Sequence, residues 1–413
     1  MLLFYRLLTQ LYFFSIRIAA IFNEKASKMI RGRKGWQRNL KEKIIEGKKY
    51  IWFHCASLGE FEQGRPLIEK FKTENPEYGV VLSFFSPSGY EIRKNYEFAD
   101  VVCYLPFDSK HNAEKFIEII NPEFVIFVKY EFWYFMINRL VRLKIPVFLI
   151  SGIFRKNQIF FKPYGRFYLK LLKRFSYLFL QDEDSEILLK NFGVKNTLVC
   201  GDTRIDRVIQ IADQEWINPL LDEFSKGYNI IVCGSSWPED EKIITEFINS
   251  CDSSYKFIIA PHEITEKHLS NLENEIKKNK IRYSDLSAEN NDCCNVLIVD
   301  SIGLLSKLYR YGRIAYIGGG FGKGIHNILE ASVYNIPVVF GPNYKKFKEA
   351  IDLIEIKAGF SISDYDGFKD VVNKLISEQS LYENSKMQSE IYFDRSSQST
   401  KRIFQEISNL LKI

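Results

Sequence analysis

Residues Gly318–Gly324 read GGGFGKG, and the side chains just beyond them are the strongest candidates for holding an anion. Glycines let backbone N–H groups approach a ligand closely, and a helix that follows aims further N–H groups at negative charge. His326, Asn327 and Glu330 cluster where such a helix would start. The run is not G-x-G-x-x-G, because Lys323 falls where the third glycine belongs. Nor is it a P-loop, because Gly324 sits where Ser or Thr is required. It reads as a phosphate site of another kind. A second candidate is Glu60, in ASLGE, just beyond an apolar run. An acid there is either a first-turn carboxylate favoured by the helix dipole or a base that takes a proton. Asp182-Glu183-Asp184 has the look of a D-x-D metal motif, but acids at that junction also cap helices. His262-Glu263 begins HEITE, so a zinc-protease motif fails at Glu266, and no G-x-S-x-G occurs. No sequence-local metal site is expected.

Short apolar runs carry these residues. The first series predicts strands at Tyr50–Cys55, Val80–Phe84, Val101–Tyr104, Phe124–Val128 and Val147–Ile150. The second predicts them at Asn229–Cys233, Phe257–Ala260, Val296–Val299, Ile314–Ile317 and Val338–Phe340. Uniformly apolar strands separated by helical stretches suit parallel sheets covered on both faces. The series match element by element: CASLGEFE with CGSSWPEDE, SFFSPSG with IIAPHE, IPVFLISG with IPVVFGP. This implies two related α/β domains. Ligands in such sheets sit at the carboxyl ends of the strands.

The chain has 413 residues, 46% apolar and 26% charged, which excludes disordered and collagen-like classes. Residues 24–49 carry ten Lys/Arg against three Glu, while residues 50–413 sum to −3. A basic collar on a slightly acidic body argues against a nucleic-acid binder and suits an anionic membrane surface. Before the collar lies MLLFYRLLTQLYFFSIRIAAIF, with Arg6, Gln10 and Arg17 on one narrow helical face. Arg17 interrupts the apolar stretch an export signal would need, so an in-plane amphipathic anchor is expected, with a spanning helix carrying a polar seam and a packed amphipathic helix as the alternatives. Seven cysteines, an odd number without C-x-x-C, read as free thiols in a reducing compartment. Arg155–Phe175 holds seven basic residues and no acids among many aromatics. It reads equally as a solvated helix or as a surface that meets phosphorylated lipid.

Several segments together resemble the 3-deoxy-D-manno-octulosonic acid (Kdo) transferases of Gram-negative bacteria. They are RGRKGWQRN, WFHCASLGE, FSPSGYE, NPEFVIFVKYEFW, VCGDTRID, APHE, DSIGLLSKLY and GKGIHNILEASVYNIPVVFGP. The resemblance implies an α/β GT-B architecture, two Rossmann-like doubly wound parallel-sheet domains facing a crevice, with an N-terminal membrane-associated helix. On that basis residues 1–23 form the anchoring helix and 24–49 the collar. Residues 50–204 form the acceptor-binding domain, 205–228 a linker and 229–395 the CMP-Kdo-binding domain. Residues 396–413 form a helix that could pack back on the first domain. The implied reaction is inverting transfer of Kdo from CMP-Kdo to a phosphorylated lipid A precursor. It would run without metal or cofactor at the cytoplasmic face of an anionic inner membrane.

By the same resemblance Glu60 matches the general base and Arg204 a cation that stabilises the transition state. Nucleotide contacts fall on His262, Glu263, Ile302, Gly303, Leu304, Asn327, Ile328, Leu329 and Glu330. Lys129 opens Lys129-Tyr130-Glu131-Phe132-Trp133-Tyr134, where the family has Glu-Thr-Glu-aliphatic-Trp-Pro, and so replaces an acid. Two rival functions remain open: another GT-B enzyme, such as a nucleotide-sugar epimerase, or a catalytically inactive membrane-bound binder of sugar nucleotides.

Overall fold

The computed structural model describes residues 2–290 and 294–413 and divides into two compact units. Unit 1 runs to Asp206 and is completed by Gln398–Ile413; unit 2 is Arg207–Ser397. Unit 1 holds strands β1 (Tyr50–Cys55), β2 (Gly79–Phe84), β3 (Val101–Tyr104), β4 (Pro122–Val128), β5 (Val147–Gly152), β6 (Tyr177–Leu180) and β7 (Thr197–Val199). Their order is β3-β2-β1-β4-β5-β6-β7, and every pairing is parallel. All of β1 is buried. Tyr50 and Trp52 enter one core layer, and Ile51, Phe53 and Cys55 the other, as a strand covered on both faces requires.

Unit 2 repeats the plan with β8 (Asn229–Ser236), β9 (Tyr255–Pro261), β10 (Lys280–Arg282), β11 (Val296–Ile298), β12 (Ile314–Ile317), β13 (Val338–Phe340) and β14 (Gly359–Ser361). Their order is β10-β11-β9-β8-β12-β13-β14, again all parallel. The order reverses between β1 and β4 in the first sheet and between β8 and β12 in the second, where β10 lies outside β11. Such switch points open a cleft at the carboxyl ends of the strands.

The leading helices are α1 (Leu2–Ala19), α2 (Glu24–Arg31), α3 (Trp36–Lys43) and α4 (Leu58–Glu74). At 18 residues α1 is long and apolar enough to cross a membrane. One face is nevertheless docked on unit 1, with Tyr5, Phe13 and Ile16 buried. Phe13 stacks on Phe107 at 4.0 Å, and the Tyr5 hydroxyl donates to Asp108 at 2.6 Å. The remaining surface stays open and largely apolar, with Leu3, Phe4, Leu7, Leu11, Phe14 and Ile18 exposed. Helix α1 therefore contributes to the core of unit 1.

The basic collar of residues 24–49 is largely helical. It folds as α2 and α3, with Met29, Arg33 and Leu40 buried. Arg33 donates to the carbonyls of Met29, Phe85 and Leu105 at 2.7–2.9 Å and lies between the rings of Phe85, Tyr104 and Phe107. Burial pushes its guanidinium down to about 10. Carbonyl donors and ring faces offset the cost of removing this charge from water.

Residues 205–228 are not a bare linker but carry the helices Thr203–Ala212 and Pro219–Ser225. The closing helix Ser399–Leu411 belongs to unit 1, where Ile403 and Ile407 are buried beside Phe71 and Phe124. Asp206 fixes its start by accepting from the N–H groups of Gln398 and Thr400 at 2.7 and 2.6 Å. Six cysteines among the described residues are free thiols, and Cys293 lies outside the described residues.

Candidate active site

The carboxyl edge of β1 turns through Ala56-Ser57 into α4, so Glu60 stands in that helix's first turn. The Ser57 hydroxyl donates to Glu60 Oε2 at 2.6 Å. The carboxylate is half-buried and held by a neighbour three residues back.

Lys129 follows β4, the strand across the switch point from β1. Its N–H donates to the Ile150 carbonyl at 2.9 Å, and its backbone is left-handed, φ 65°. Ser151 at the end of β5 is also left-handed, φ 56°. Two non-glycine residues in this sparsely populated region mark a strained edge, a frequent property of functional sites.

Arg204 follows β7, four strands from β1 in the sheet order. The chain nevertheless returns to α4: Thr203 Oγ1 donates to the Gln63 carbonyl at 2.5 Å and lies 3.3 Å from Ser151 Oγ. Arg204 therefore begins its helix beside the first turns of α4. Asp202 grips the guanidinium from Nε and Nη2 at 2.6–3.2 Å, which fixes its direction.

The edge of unit 1 also holds a constellation the sequence pattern did not isolate. His54, in β1 and fully buried, lies with Nδ1 2.8 Å from Ser83 Oγ and 3.1 Å from the Ser83 carbonyl. Its Nε2 is 3.1 Å from Glu131 Oε2, and the Trp133 indole N–H donates to that same oxygen at 2.6 Å. Trp133 stacks on Phe85 at 4.9 Å. A histidine inside an otherwise apolar strand was the available signal. Glu131 also lines an aromatic cavity of about 450 Å³, walled by Tyr5, Leu8, Tyr12, Phe132, Phe160 and Tyr168. The aromatics of the 155–175 segment thus resolve partly into core and partly into this wall, while most of its cations lie on the surface.

In unit 2 the glycine run follows β12. Its glycines answer first to packing. A Cβ on Gly318 would stand 2.2 Å from the Ser235 carbonyl oxygen, and one on Gly320 would stand 2.5 Å from the Gly341 nitrogen. The helix after the run is only Leu329–Ser332, a single turn, so the expected strong helix N-terminus at Asn327 is corrected. Ile328 and Leu329 are buried side chains. Asn327 Nδ2 donates to Glu330 Oε1 at 2.8 Å, which ties those two candidates together.

Asp240 organises the same edge. It accepts from the N–H groups of Gly319 and Trp237 and from the Tyr316 hydroxyl, at 2.8–3.0 Å. Burial raises its carboxyl, against the pull of those donors. Beside it three rings stack: Trp237 on His262 at 4.5 Å, and His262 on His326 at 4.4 Å. Trp237 Nε1 donates to His326 Nε2 at 2.9 Å. Burial, and then His262, push His326 down to about 4, so it is neutral at pH 7. His262 and Glu263 are exposed at the end of β9. Ile302, 88% exposed, Gly303 and Leu304 form a loop following β11, the neighbour of β9. The candidates of unit 2 thus follow the carboxyl ends of β11, β9 and β12, while direct contacts join His262 to His326 and Asn327 to Glu330. Asp182 proves to be a cap, accepting from Ser185 N–H at 2.7 Å.

Most of the chain is similar to known proteins. Residues 28–207 match the family model of 3-deoxy-D-manno-octulosonic-acid transferase. The chain is 29% identical over 330 residues to the 3-deoxy-D-manno-octulosonic acid transferase of Aquifex aeolicus, covering 78% of this chain and 85% of that one. It is 29% identical over 347 residues to that of Chlamydia trachomatis serovar D, covering 80% and 78%. Among solved structures, UDP-GlcNAc 2-epimerase from Neisseria meningitidis bound to UDP-GlcNAc superposes with TM-score 0.62 at 14% identity, over 88% of this chain and 100% of that one. That likeness shows a shared GT-B-like fold.

Proposed function

From the premise that this chain is a relative of the Kdo transferases, a glycosyltransferase of GT-B fold, we propose that it moves Kdo from CMP-Kdo to a phosphorylated lipid A precursor with inversion. The observation that carries the mechanism is Glu60, in the first turn of α4 with Ser57 donating to its Oε2. A sugar hydroxyl is too weakly acidic to ionise at neutral pH, so a carboxylate must take its proton as it attacks the ketose carbon. Glu60 has that role. The bond from the anomeric carbon to the CMP phosphate breaks as the new glycosidic bond forms, and negative charge grows on the departing CMP.

Arg204, aimed by Asp202, offsets that charge. Lys129 stands where the family has an acid and adds a second cation at the strained end of β4. In unit 2 the nucleotide is assigned to His262, Glu263, the 302–304 loop, the glycine run and Asn327–Glu330. None of these steps requires a metal or cofactor. The exposed apolar face of α1 and the cations of α2 and α3 suit an in-plane seat on an anionic membrane, assigned to the cytoplasmic face of the inner membrane.

The test is release of CMP from CMP-Kdo in the presence and absence of lipid acceptor. Glu60→Gln should lower turnover about 10²–10⁴-fold while CMP affinity is unchanged. Near-normal turnover by that variant refutes the role given to Glu60. A wild-type protein that binds CMP but never releases it from CMP-Kdo would leave only the inactive binder.

A further inference from the structure

The two ring nitrogens of His326 are not equivalent, and Trp237 decides which of them carries the proton. The Trp237 indole N–H donates to His326 Nε2 at 2.9 Å. An indole N–H can only donate, so Nε2 must be the bare, accepting nitrogen. A doubly protonated ring would set two N–H groups against each other, and so would a ring with its only proton on Nε2. One state satisfies the contact: a neutral ring with its proton on Nδ1. Burial and the neighbouring His262, which hold the ring well below the usual histidine range, favour the same neutral form.

The backbone fixes where this ring sits. Asp240 Oδ2 accepts from the N–H groups of Trp237 at 3.0 Å and Gly319 at 2.8 Å, so one oxygen ties the turn after β8 to the glycine run after β12. His326 returns to the same run, its own N–H donating to the Gly318 carbonyl at 3.1 Å. A Cβ on Gly319 would stand 3.1 Å from Cδ2 and 3.4 Å from Nε2 of the ring. The rings of Trp237 and His326 are parallel to within 11°, and His262 stacks on both. Nδ1 makes no hydrogen bond among the described residues and is not sealed from solvent. Lys323, exposed in the same loop, adds a positive charge.

We propose that Trp237 is a positioning residue that locks His326 as a neutral Nδ1–H donor, and that this N–H binds a phosphate oxygen of the nucleotide. This rests on the assignment of the nucleotide to unit 2. The donor is held in direction by its neighbours, and a charged acceptor strengthens the hydrogen bond it makes.

Two arms test the proposal on the full chain. The protein has five histidines, so ¹⁵N-histidine spectra can be assigned by the signal lost in His326→Gln. With no ligand present at pH 7, His326 should show a protonated Nδ1 and a bare Nε2. Trp237→Phe keeps a ring against His262 but removes the indole N–H, so the proton should then spread to Nε2. A proton on Nε2 in the wild-type protein, or an unchanged spectrum in Trp237→Phe, overturns the proposal.

The second arm measures binding of CMP and of cytidine, which lacks the phosphate. The amide oxygen of His326→Gln can still accept from Trp237, but nothing donates where Nδ1 was. His326→Asn places an amide NH₂ near that position. CMP affinity should fall roughly tenfold in His326→Gln, as for a lost hydrogen bond to a charged group, and be largely retained in His326→Asn. Cytidine affinity should change in neither. Equal loss of CMP affinity in both variants, or a matching loss for cytidine, shows a merely structural role and overturns the proposal, as does unchanged CMP affinity in His326→Gln. Cytidine binding also reports that the Gln variant is folded. Wild-type protein that binds no CMP refutes the assignment of the nucleotide to unit 2, and this proposal with it. The spectra, taken without ligand, separate that failure from a failure of the lock.

Discussion

Replacing Tyr5 by Phe removes one hydroxyl and leaves the ring that α1 packs into unit 1. That hydroxyl donates to Asp108 at 2.6 Å, and the acid also accepts from the N–H groups of Phe135 and Met136 at 3.0 and 3.1 Å. Asp108 is only 2% exposed, so water cannot replace the lost donor. A hydrogen bond to a buried charged group contributes about 1.5–3 kcal/mol. With a urea m-value of roughly 2–3 kcal/mol/M, the midpoint for unit 1 should fall by about 0.5–1.5 M. The sign with pH follows from Asp108. Burial raises its carboxyl above the ordinary value, and the Tyr5 and backbone donors hold it down. Without Tyr5 it rises further. Native Tyr5→Phe therefore binds a proton more readily than native wild type, and its deficit should be largest near neutral pH and shrink toward acid pH. Urea titrations of both proteins across that range, followed by tryptophan fluorescence, measure the difference. An unchanged midpoint at neutral pH, or a deficit that grows on acidification, would refute the docking of α1 described here. Deleting residues 1–22 should be costlier still, because the burial of Phe13 and Ile16 is lost with it.

Arg33→Lys keeps the charge but cannot bridge three carbonyls, so thermal unfolding should show a loss of about 2–3 kcal/mol. Asp100 is opposed by burial but held at about 2 by Lys48, Lys72 and the Val80 N–H. Its folded value is depressed, so its contribution is present above about pH 4 and is lost as pH falls toward 2. Asp100→Asn should lose about 1 kcal/mol at pH 7, allowing for solvent screening, and the gap should close in acid unfolding curves. Gly318→Ala places a methyl group 2.2 Å from the Ser235 carbonyl oxygen. It should destabilise unit 2 by about 1–3 kcal/mol or more and weaken CMP binding by calorimetry.

The central strands were legible because they are buried on both faces, and a run such as Tyr50–Cys55 is then apolar throughout. All ten strands predicted from apolar runs form. The strands that escape are β6, β7, β10 and β14. Three of these have only three residues, and β10 (KIR) and β14 (GFS) lie at sheet edges, where one flank is unpaired and polar residues are tolerated. The place of Glu60 in a first helical turn was legible from the strand before it, while its assignment as a base came from the resemblance. The resemblance supplied Arg204, but its return to α4 depends on Thr203 and Gln63, which no local pattern connects. The glycine run was legible as special for a reason that proved incomplete: Gly318 and Gly320 admit neighbouring backbone as well as any ligand. Arg33 and His54 were hidden for opposite reasons. One polar residue was lost in a basic stretch, the other in an apolar one, and only tertiary burial separates them from their neighbours.

The return of residues 398–413 to unit 1 sets an order of events during synthesis. The strands of unit 1 leave the ribosome first, yet the layer over Phe71 and Phe124 stays uncovered until Ile403 and Ile407 arrive. Between them lies all of Arg207–Ser397. At roughly 5–20 residues per second, that delay is about 10–40 s. For that interval a nascent chain shows an unfinished apolar surface while unit 2 can already close on itself. Growing polypeptides of this protein should therefore engage chaperones through their first-made half, and a stop codon shortly before residue 398 should damage the half already synthesised.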